Sequence, residues 1–102
     1  MSAFRVRAGS DGVLYLAGEL DLATQEAFAA SARERVDGQG EIVLDLSDLS
    51  FIDSTGIRAM IALARDLTPR RLVLRDPAPD VASVFRIVGL EGMFGIRVES
   101  AS

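Results

Sequence analysis

The residues of this sequence best suited to chemistry form one short segment in the middle of the chain. Asp53, Ser54 and Thr55 stand in a row and are followed by Gly56. Side chains of these types can cap the start of a helix, and the serine could also act as a nucleophile or accept a phosphoryl group. The choice among these uses depends on which other reactive side chains the chain contains.

The composition excludes most catalytic uses of that serine. The 102 residues contain no Cys, His, Trp or Lys, so that all 11 basic side chains are Arg. A nucleophilic Ser normally needs a His or Lys base, while zinc sites, P-loops and Schiff bases need Cys, His or Lys. The segment also lacks the first glycine of the Gly-x-Ser-x-Gly elbow. We therefore expect a protein that is not an enzyme and has no catalytic residue, metal or cofactor of its own.

The charge balance argues against direct binding of nucleic acid. Fifteen acidic residues outweigh the arginines, which gives a net charge of −4 and a pI of about 4.7. A protein of this charge lacks the general attraction to phosphates on which nucleic-acid binding depends. No apolar run has the length of a signal peptide or a membrane span, and the absence of Cys fits a reducing compartment. These features predict a cytoplasmic protein that does not insert into a membrane.

The periodicity of apolar residues predicts one α/β domain over residues 1–102, with a core from about 4 to 99. Alternating or short apolar runs predict strands at residues 4–8, 13–17, 42–44, 72–74 and 94–98. Spacings of three and four predict helices at residues 24–36, 54–67 and 79–88. The order β-β-α-β-α-β-α-β is typical of a mainly parallel sheet, here with an antiparallel N-terminal edge strand.

The predicted second helix begins at the Asp-Ser-Thr-Gly segment. Its core-facing stripe consists of Ile57, Met60, Ile61, Ala64 and Leu67. Its other face carries Thr55, Arg58, Ala59, Ala62 and Arg65. In one interpretation the segment is a helix cap and nothing more. In another, Ser54 accepts a phosphate that the positive end of the helix tolerates, and Gly56 allows a partner or the phosphate to approach closely.

Three blocks of the sequence together carry a family resemblance. They are Gly18-Glu19-Leu20-Asp21-Leu22-Ala23-Thr24, Ile42-Val43-Leu44-Asp45-Leu46 and Asp53-Ser54-Thr55-Gly56-Ile57. With these blocks the chain resembles anti-sigma factor antagonists of the STAS domain family. The likeness covers nearly the whole chain and implies a STAS-like fold.

The resemblance implies a partner switch in which Ser54 is phosphorylated by an ATP-using anti-sigma factor that is itself a serine kinase. The unphosphorylated protein would bind this kinase and release the sigma factor, and a PP2C-type phosphatase would reset the switch. Asp21 matches the family's acidic residue near the phosphorylated serine, although it could equally cap the first helix. The predicted docking surface comprises Asp21, Asp53, Ser54, Thr55, Gly56 and Arg58, on a monomer or weak dimer. The nucleotide and its metal would belong to the kinase.

The charge of a phosphate supplies a mechanism for such a switch. It adds about −1.5 to −2 charges beside Asp53, and like charges brought together at an interface cost several kcal/mol. We therefore expect phosphorylation to abolish binding while the fold stays intact.

Several alternatives stay open at this stage. Thr55 could be the modified residue instead of Ser54, and Arg58, where the family commonly has Gly, could be an ordinary surface arginine. Asp45 follows the predicted third strand as the phosphoacceptor of a receiver domain would, but the lysine of that fold is missing. The main functional alternative is a STAS subunit that rests permanently on another protein, such as a lipid-transport ATPase or a stressosome-like assembly, without reversible phosphorylation.

Overall fold

A computed structural model describes residues 4–35 and 40–100 of the chain. Its five strands form one sheet in the order β1-β2-β3-β4-β5. The strands are β1 (Arg5–Ala8), β2 (Leu14–Leu20), β3 (Ile42–Ile52), β4 (Leu72–Arg75) and β5 (Arg97–Glu99). The pair β1 and β2 is antiparallel and every other neighbouring pair is parallel, which confirms the predicted edge strand and the predicted order of elements.

Three helices connect the parallel strands: α1 (Gln25–Arg35), α2 (Ser54–Leu67) and α3 (Pro79–Val88). The helices and one face of the sheet share a single cluster of buried apolar side chains. Burial of this cluster removes apolar surface from water and is the main force that holds helices and sheet together. The predicted end of the first helix at Val36, Asp37 and Gly38 lies outside the described residues. Among the described residues, no helix is both long and apolar enough to cross a membrane.

The core face of α2 agrees with the prediction in most positions. Ile57, Met60 and Ala64 are buried, whereas Ile61 and Leu67 pack against the core from its margin. Leu63, which the prediction left out, is buried as well. A buried stripe wider than one row of residues is expected for a helix that lies in a broad groove between a sheet and other helices.

Three predicted strand boundaries are wrong. Strand β2 does not end at Ala17 but continues to Leu20, because it stays paired with β3 as far as Ile52. Strand β3 does not end near Asp45 but continues to Ile52, because Leu46, Leu49 and Ile52 keep it paired and buried beyond that point. The last strand begins at Arg97, since Phe94 lies in a 3₁₀ turn (Met93–Gly95) with a φ of 48°. Positive φ takes Phe94 out of any extended conformation despite its alternation with later apolar residues.

The extended β3 also changes the environment expected for Asp45. This buried carboxylate lies within the strand and accepts hydrogen bonds from Ser47 and from Arg75 of β4, with Nη2 of Arg75 at 2.9 Å. Burial opposes its ionisation, but the bonds from Ser47 and Arg75 outweigh burial and lower the pKa of Asp45. Asp45 therefore ties β3 to β4 and does not stand free at a strand end, as the phosphoacceptor of a receiver domain would.

Candidate functional site

The carboxyl ends of β2 and β3 meet at one edge of the sheet. Leu20 pairs with Ile52 in the last register position, and the backbone N–H of Asp53 donates to the carbonyl of Leu20 at 3.2 Å. Two register shifts between the strands let the longer β3 finish level with β2. Consequently the loop that begins at Asp21 and the start of α2 lie side by side, although they are distant in sequence.

Asp53 caps α2 through its side chain. It has an extended backbone conformation, and its Oδ1 accepts the N–H of Gly56 at 3.0 Å and the hydroxyl of Thr55 at 2.6 Å. The Thr55 hydroxyl and then the Gly56 N–H lower the pKa of the Asp53 carboxyl, because both stabilise its charged form. The start of α2 therefore carries a fixed negative charge at neutral pH.

The two hydroxyls that follow Asp53 differ in availability. Ser54 is the first residue of α2 and is exposed, and its hydroxyl forms no hydrogen bond with another residue in the described ranges. Thr55 is half-buried and donates its proton to Asp53. Of the two, only the Ser54 hydroxyl is both accessible and unengaged.

Gly56 has a different role from the one expected. It is buried and cannot offer space to a partner or to a phosphate. A Cβ at this position would lie 2.6 Å from the carbonyl oxygen of Leu20 and 2.8 Å from Cγ1 of Ile52. Glycine is needed here because the first turn of α2 presses directly against the backbone at the end of β2. Gly56 thus supports the site from beneath and does not belong to its surface.

Asp21 caps the start of α1, as one of its two predicted roles requires. Its Oδ1 accepts the N–H groups of Ala23 at 3.0 Å and Thr24 at 3.2 Å. In return, the Thr24 hydroxyl oxygen accepts the N–H of Asp21 at 3.0 Å. This reciprocal arrangement is a capping box with Thr in place of the usual Glu or Gln. Asp21 remains only partly buried, so capping leaves part of it at the surface.

A shallow groove joins the two capped helix starts. It is lined by Leu22, Gln25, Thr55, Arg58, Ala59 and Ala62. Leu22 is 72% exposed and is an apolar lining residue of the groove. Arg58 is exposed and is the one charged residue among the described residues that line the groove.

The structure thus brings Asp21, Asp53, Ser54, Thr55 and Arg58 to one edge of the molecule. The sequence prediction missed Leu22 and Gln25, which form the α1 side of the groove. An apolar residue directly after a predicted capping aspartate would have been a signal for Leu22. The prediction also missed Phe51, which lies two residues before Asp53 and is 47% exposed.

Comparison with known proteins agrees with this architecture. The family model described as "Mlab, STAS domain" matches residues 4–97. The chain belongs to the STAS domain family. A curated relative, "Putative anti-sigma factor antagonist BtrV" of Bordetella bronchiseptica, is 35% identical over 91 residues, which cover 84% of this STAS domain and 78% of the relative.

Solved structures extend the likeness to the whole fold. The unphosphorylated form of the anti-sigma factor antagonist SpoIIAA matches this STAS domain with a TM-score of 0.72 and 25% identity, over 97% of this chain and 90% of that one. The phosphorylated form of the Bacillus cell fate determinant SpoIIAA matches its fold with a TM-score of 0.63 and 24% identity, over 97% and 93% of the two chains. Both the predicted family and the predicted fold are therefore confirmed.

Proposed function

We propose that this STAS domain is an anti-sigma factor antagonist that works as a partner switch. In its unphosphorylated form it binds an anti-sigma factor that is a serine kinase, and the sigma factor is released. Phosphorylation of Ser54 abolishes that binding, and a PP2C-type phosphatase restores it. The domain is substrate and ligand in this cycle and not a catalyst. The observation that carries the proposal is the exposed and unengaged hydroxyl of Ser54 at the start of α2.

The hydrogen bonding of the motif favours Ser54 over Thr55 as the modified residue. In phosphorylation the O–H bond of the acceptor is replaced by an O–P bond to the γ-phosphoryl group of ATP; ADP leaves and the proton passes to the kinase. Ser54 can lose its proton in this way without breaking an internal contact. Thr55 would have to give up its 2.6 Å hydrogen bond to the carboxylate of Asp53. The same carboxylate caps α2.

The fixed charge of Asp53 explains how phosphate would stop binding. A phosphate adds about −1.5 to −2 charges next to a carboxylate that is already ionised. A partner that covers Ser54 must remove water from both charges, and like charges at an interface cost several kcal/mol. The fold tolerates the phosphate, because Ser54 is exposed and the positive end of the α2 dipole favours an anion there.

The docking surface in this proposal is the groove between the two helix starts together with its acidic rim. Asp21 and Ser54 directly precede the lining residues Leu22 and Thr55, and Leu22 offers an exposed apolar side chain that a partner can cover. Removal of this apolar side chain from water would favour binding. The relatives named as anti-sigma factor antagonists support the proposed role, for which such a surface is needed.

The alternative is a STAS subunit held permanently in a larger assembly. The specific observation in its favour is the match of residues 4–97 to the family model "Mlab, STAS domain". In that case the groove would still bind a protein, but the Ser54 hydroxyl would have no regulatory use. The two proposals make opposite predictions for Ser54 variants.

The test combines phosphorylation and binding assays with anti-sigma serine kinases from the same genome. Each kinase is incubated with the protein and ATP, and mass spectrometry looks for one addition of about 80 Da, the mass of a phosphate. We expect it in wild type and Thr55→Val but not in Ser54→Ala. We expect Ser54→Asp to bind the kinase at least about 100-fold more weakly than Ser54→Ala, which corresponds to about 2.7 kcal/mol.

Two results would contradict the switch. One is equal binding of Ser54→Asp and Ser54→Ala to a kinase that holds the wild-type protein. The other is phosphorylation confined to a residue other than Ser54. A wild-type protein that purifies in a stable complex and is never phosphorylated would favour the permanent subunit.

A further inference from the structure

Arg58 is the charged residue that lines the groove, and the proposed switch assigns it no role. Its side chain is exposed, and it forms no ion pair or hydrogen bond with another residue in the part of the chain that the structure describes. Arg33, Arg65, Arg75 and Arg97, by contrast, all bind carboxylates of this chain. The guanidinium of Arg58 is therefore available to an anion that the unmodified chain does not provide.

The geometry of α2 directs Arg58 toward Ser54. The two residues are four positions apart in the same helix, so they lie one above the other on one face. Side chains of helical residues lean toward the N-terminus, so that of Arg58 is expected to reach the turn that starts at Ser54. An acidic group four residues before a basic one is also the more favourable order for a pair on a helix.

We propose that Arg58 is the internal counter-ion of phosphorylated Ser54. The guanidinium binds phosphate oxygens through two parallel N–H bonds, the geometry in which arginine pairs best with phosphate. This inference rests on the proposed phosphorylation of Ser54 and adds to it a residue that senses the modified state. No strained backbone or rebuilt contact is needed, since both side chains are exposed in the unmodified protein.

The pair would give phosphorylation a second effect on the docking surface. Arg58 lines the groove that a partner would cover, and its charge is free before modification. Once bound to the phosphate, the guanidinium can no longer pair with a carboxylate of the partner. Phosphorylation would thus add negative charge at the rim and also neutralise the positive charge inside the groove.

The experiment uses the full chain with phosphoserine incorporated at position 54 during translation, so that no kinase is required. The ³¹P NMR signal of the phosphate is followed through its second ionisation in wild type, Arg58→Ala and Arg58→Lys. A bound guanidinium stabilises the dianion. We therefore expect the midpoint to rise by about 0.3–0.7 pH unit in Arg58→Ala and by less in Arg58→Lys, which keeps the charge but loses the two parallel bonds.

Arg65→Ala is the matched control, because it removes the same charge from an exposed position two turns further along α2. We expect its midpoint to equal that of wild type. Equal midpoints in wild type and Arg58→Ala would overturn the proposal, as would equal rises in Arg58→Ala and Arg65→Ala, which would reflect net charge alone. Either result would leave the proposed function standing, because that function depends on kinase binding and on the site of modification.

Discussion

The starts of α1 and α2 are both capped by an aspartate side chain, but the residues they expose differ. Each follows a parallel strand, and each is capped by an aspartate, Asp21 and Asp53, whose Oδ1 accepts backbone N–H groups of the next turn. In α1 the residue after the cap is the exposed Leu22, and the hydroxyl of Thr24 is engaged in the capping box. In α2 the residue after the cap is Ser54, whose hydroxyl is unengaged.

This comparison shows that the cap of α2 is formed by Asp53, Thr55 and Gly56 and does not use the Ser54 hydroxyl. The aspartate and the hydroxyl bonded to it secure the helix end, so that the neighbouring serine is not needed for stability. A residue with no structural duty can be modified without unfolding the protein, since the stabilising hydrogen bonds remain in place. The start of α1 therefore exposes the apolar side chain of Leu22, and the start of α2 exposes the hydroxyl of Ser54. The two lie next to each other at the same edge of the sheet.

The largest expected effect concerns Gly56, three positions after the cap of α2. We expect Gly56→Ala to destabilise the domain by about 2 kcal/mol, because its Cβ would lie 2.6 Å from the Leu20 carbonyl oxygen. This cost exceeds the roughly 1 kcal/mol that alanine gains over glycine in a helix. Urea denaturation measures the difference, and an unchanged or raised free energy of unfolding would refute the close packing.

A smaller effect is expected at the cap of α2. Asp53→Ala should lower the free energy of unfolding at neutral pH by about 1 kcal/mol, a typical value for loss of an N-cap. Asp21→Ala is the matched variant at α1 and should cost a similar amount. A loss of stability in only one of the two variants would contradict the inference that Asp21 and Asp53 cap their helices in the same way.

The charge of Asp53 makes its contribution to stability depend on pH. The pKa of its carboxyl is lowered in the folded state, so the stabilisation is complete above the unfolded pKa of about 3.9 and disappears as the pH falls through the still lower folded value. Asp53→Asn keeps a capping side chain without the charge. We expect its stability deficit relative to wild type to be constant near neutral pH and to shrink in acid. A deficit that grows in acid would contradict the lowered pKa.

The smallest effects separate the two hydroxyls of α2. Thr55→Val removes the donor to Asp53 and should cost about 0.5–1 kcal/mol. Ser54→Ala removes a hydroxyl without an internal partner and should change stability by less than about 0.5 kcal/mol. Both differences can be read from thermal unfolding followed by circular dichroism. A larger loss for Ser54→Ala than for Thr55→Val would mean that Ser54 has a structural duty.

Much of the fold could be predicted from the sequence, because its signals are local. The helical spacing of Ile57, Met60 and Ala64 and the short apolar run that opens β3 are visible in a few residues. The errors arose where tertiary contacts prevail over local pattern. Strand β3 continues past Asp45 because β2 pairs with it as far as Ile52, and Phe94 leaves the extended conformation in a turn between Gly92 and Gly95.

By itself, the sequence determined which residue types are missing for catalysis and where the Asp-Ser-Thr-Gly segment with its candidate serine stands. These conclusions need only the residue types and the few positions around Asp53, since capping and periodicity act between near neighbours in the chain. Only the tertiary structure decided that the Asp21 and Asp53 loops share an edge, that Gly56 is buried against Leu20, and that Leu22 and Arg58 line one groove. Those relations depend on strand pairing and close packing between residues far apart in sequence, which no short stretch of sequence specifies.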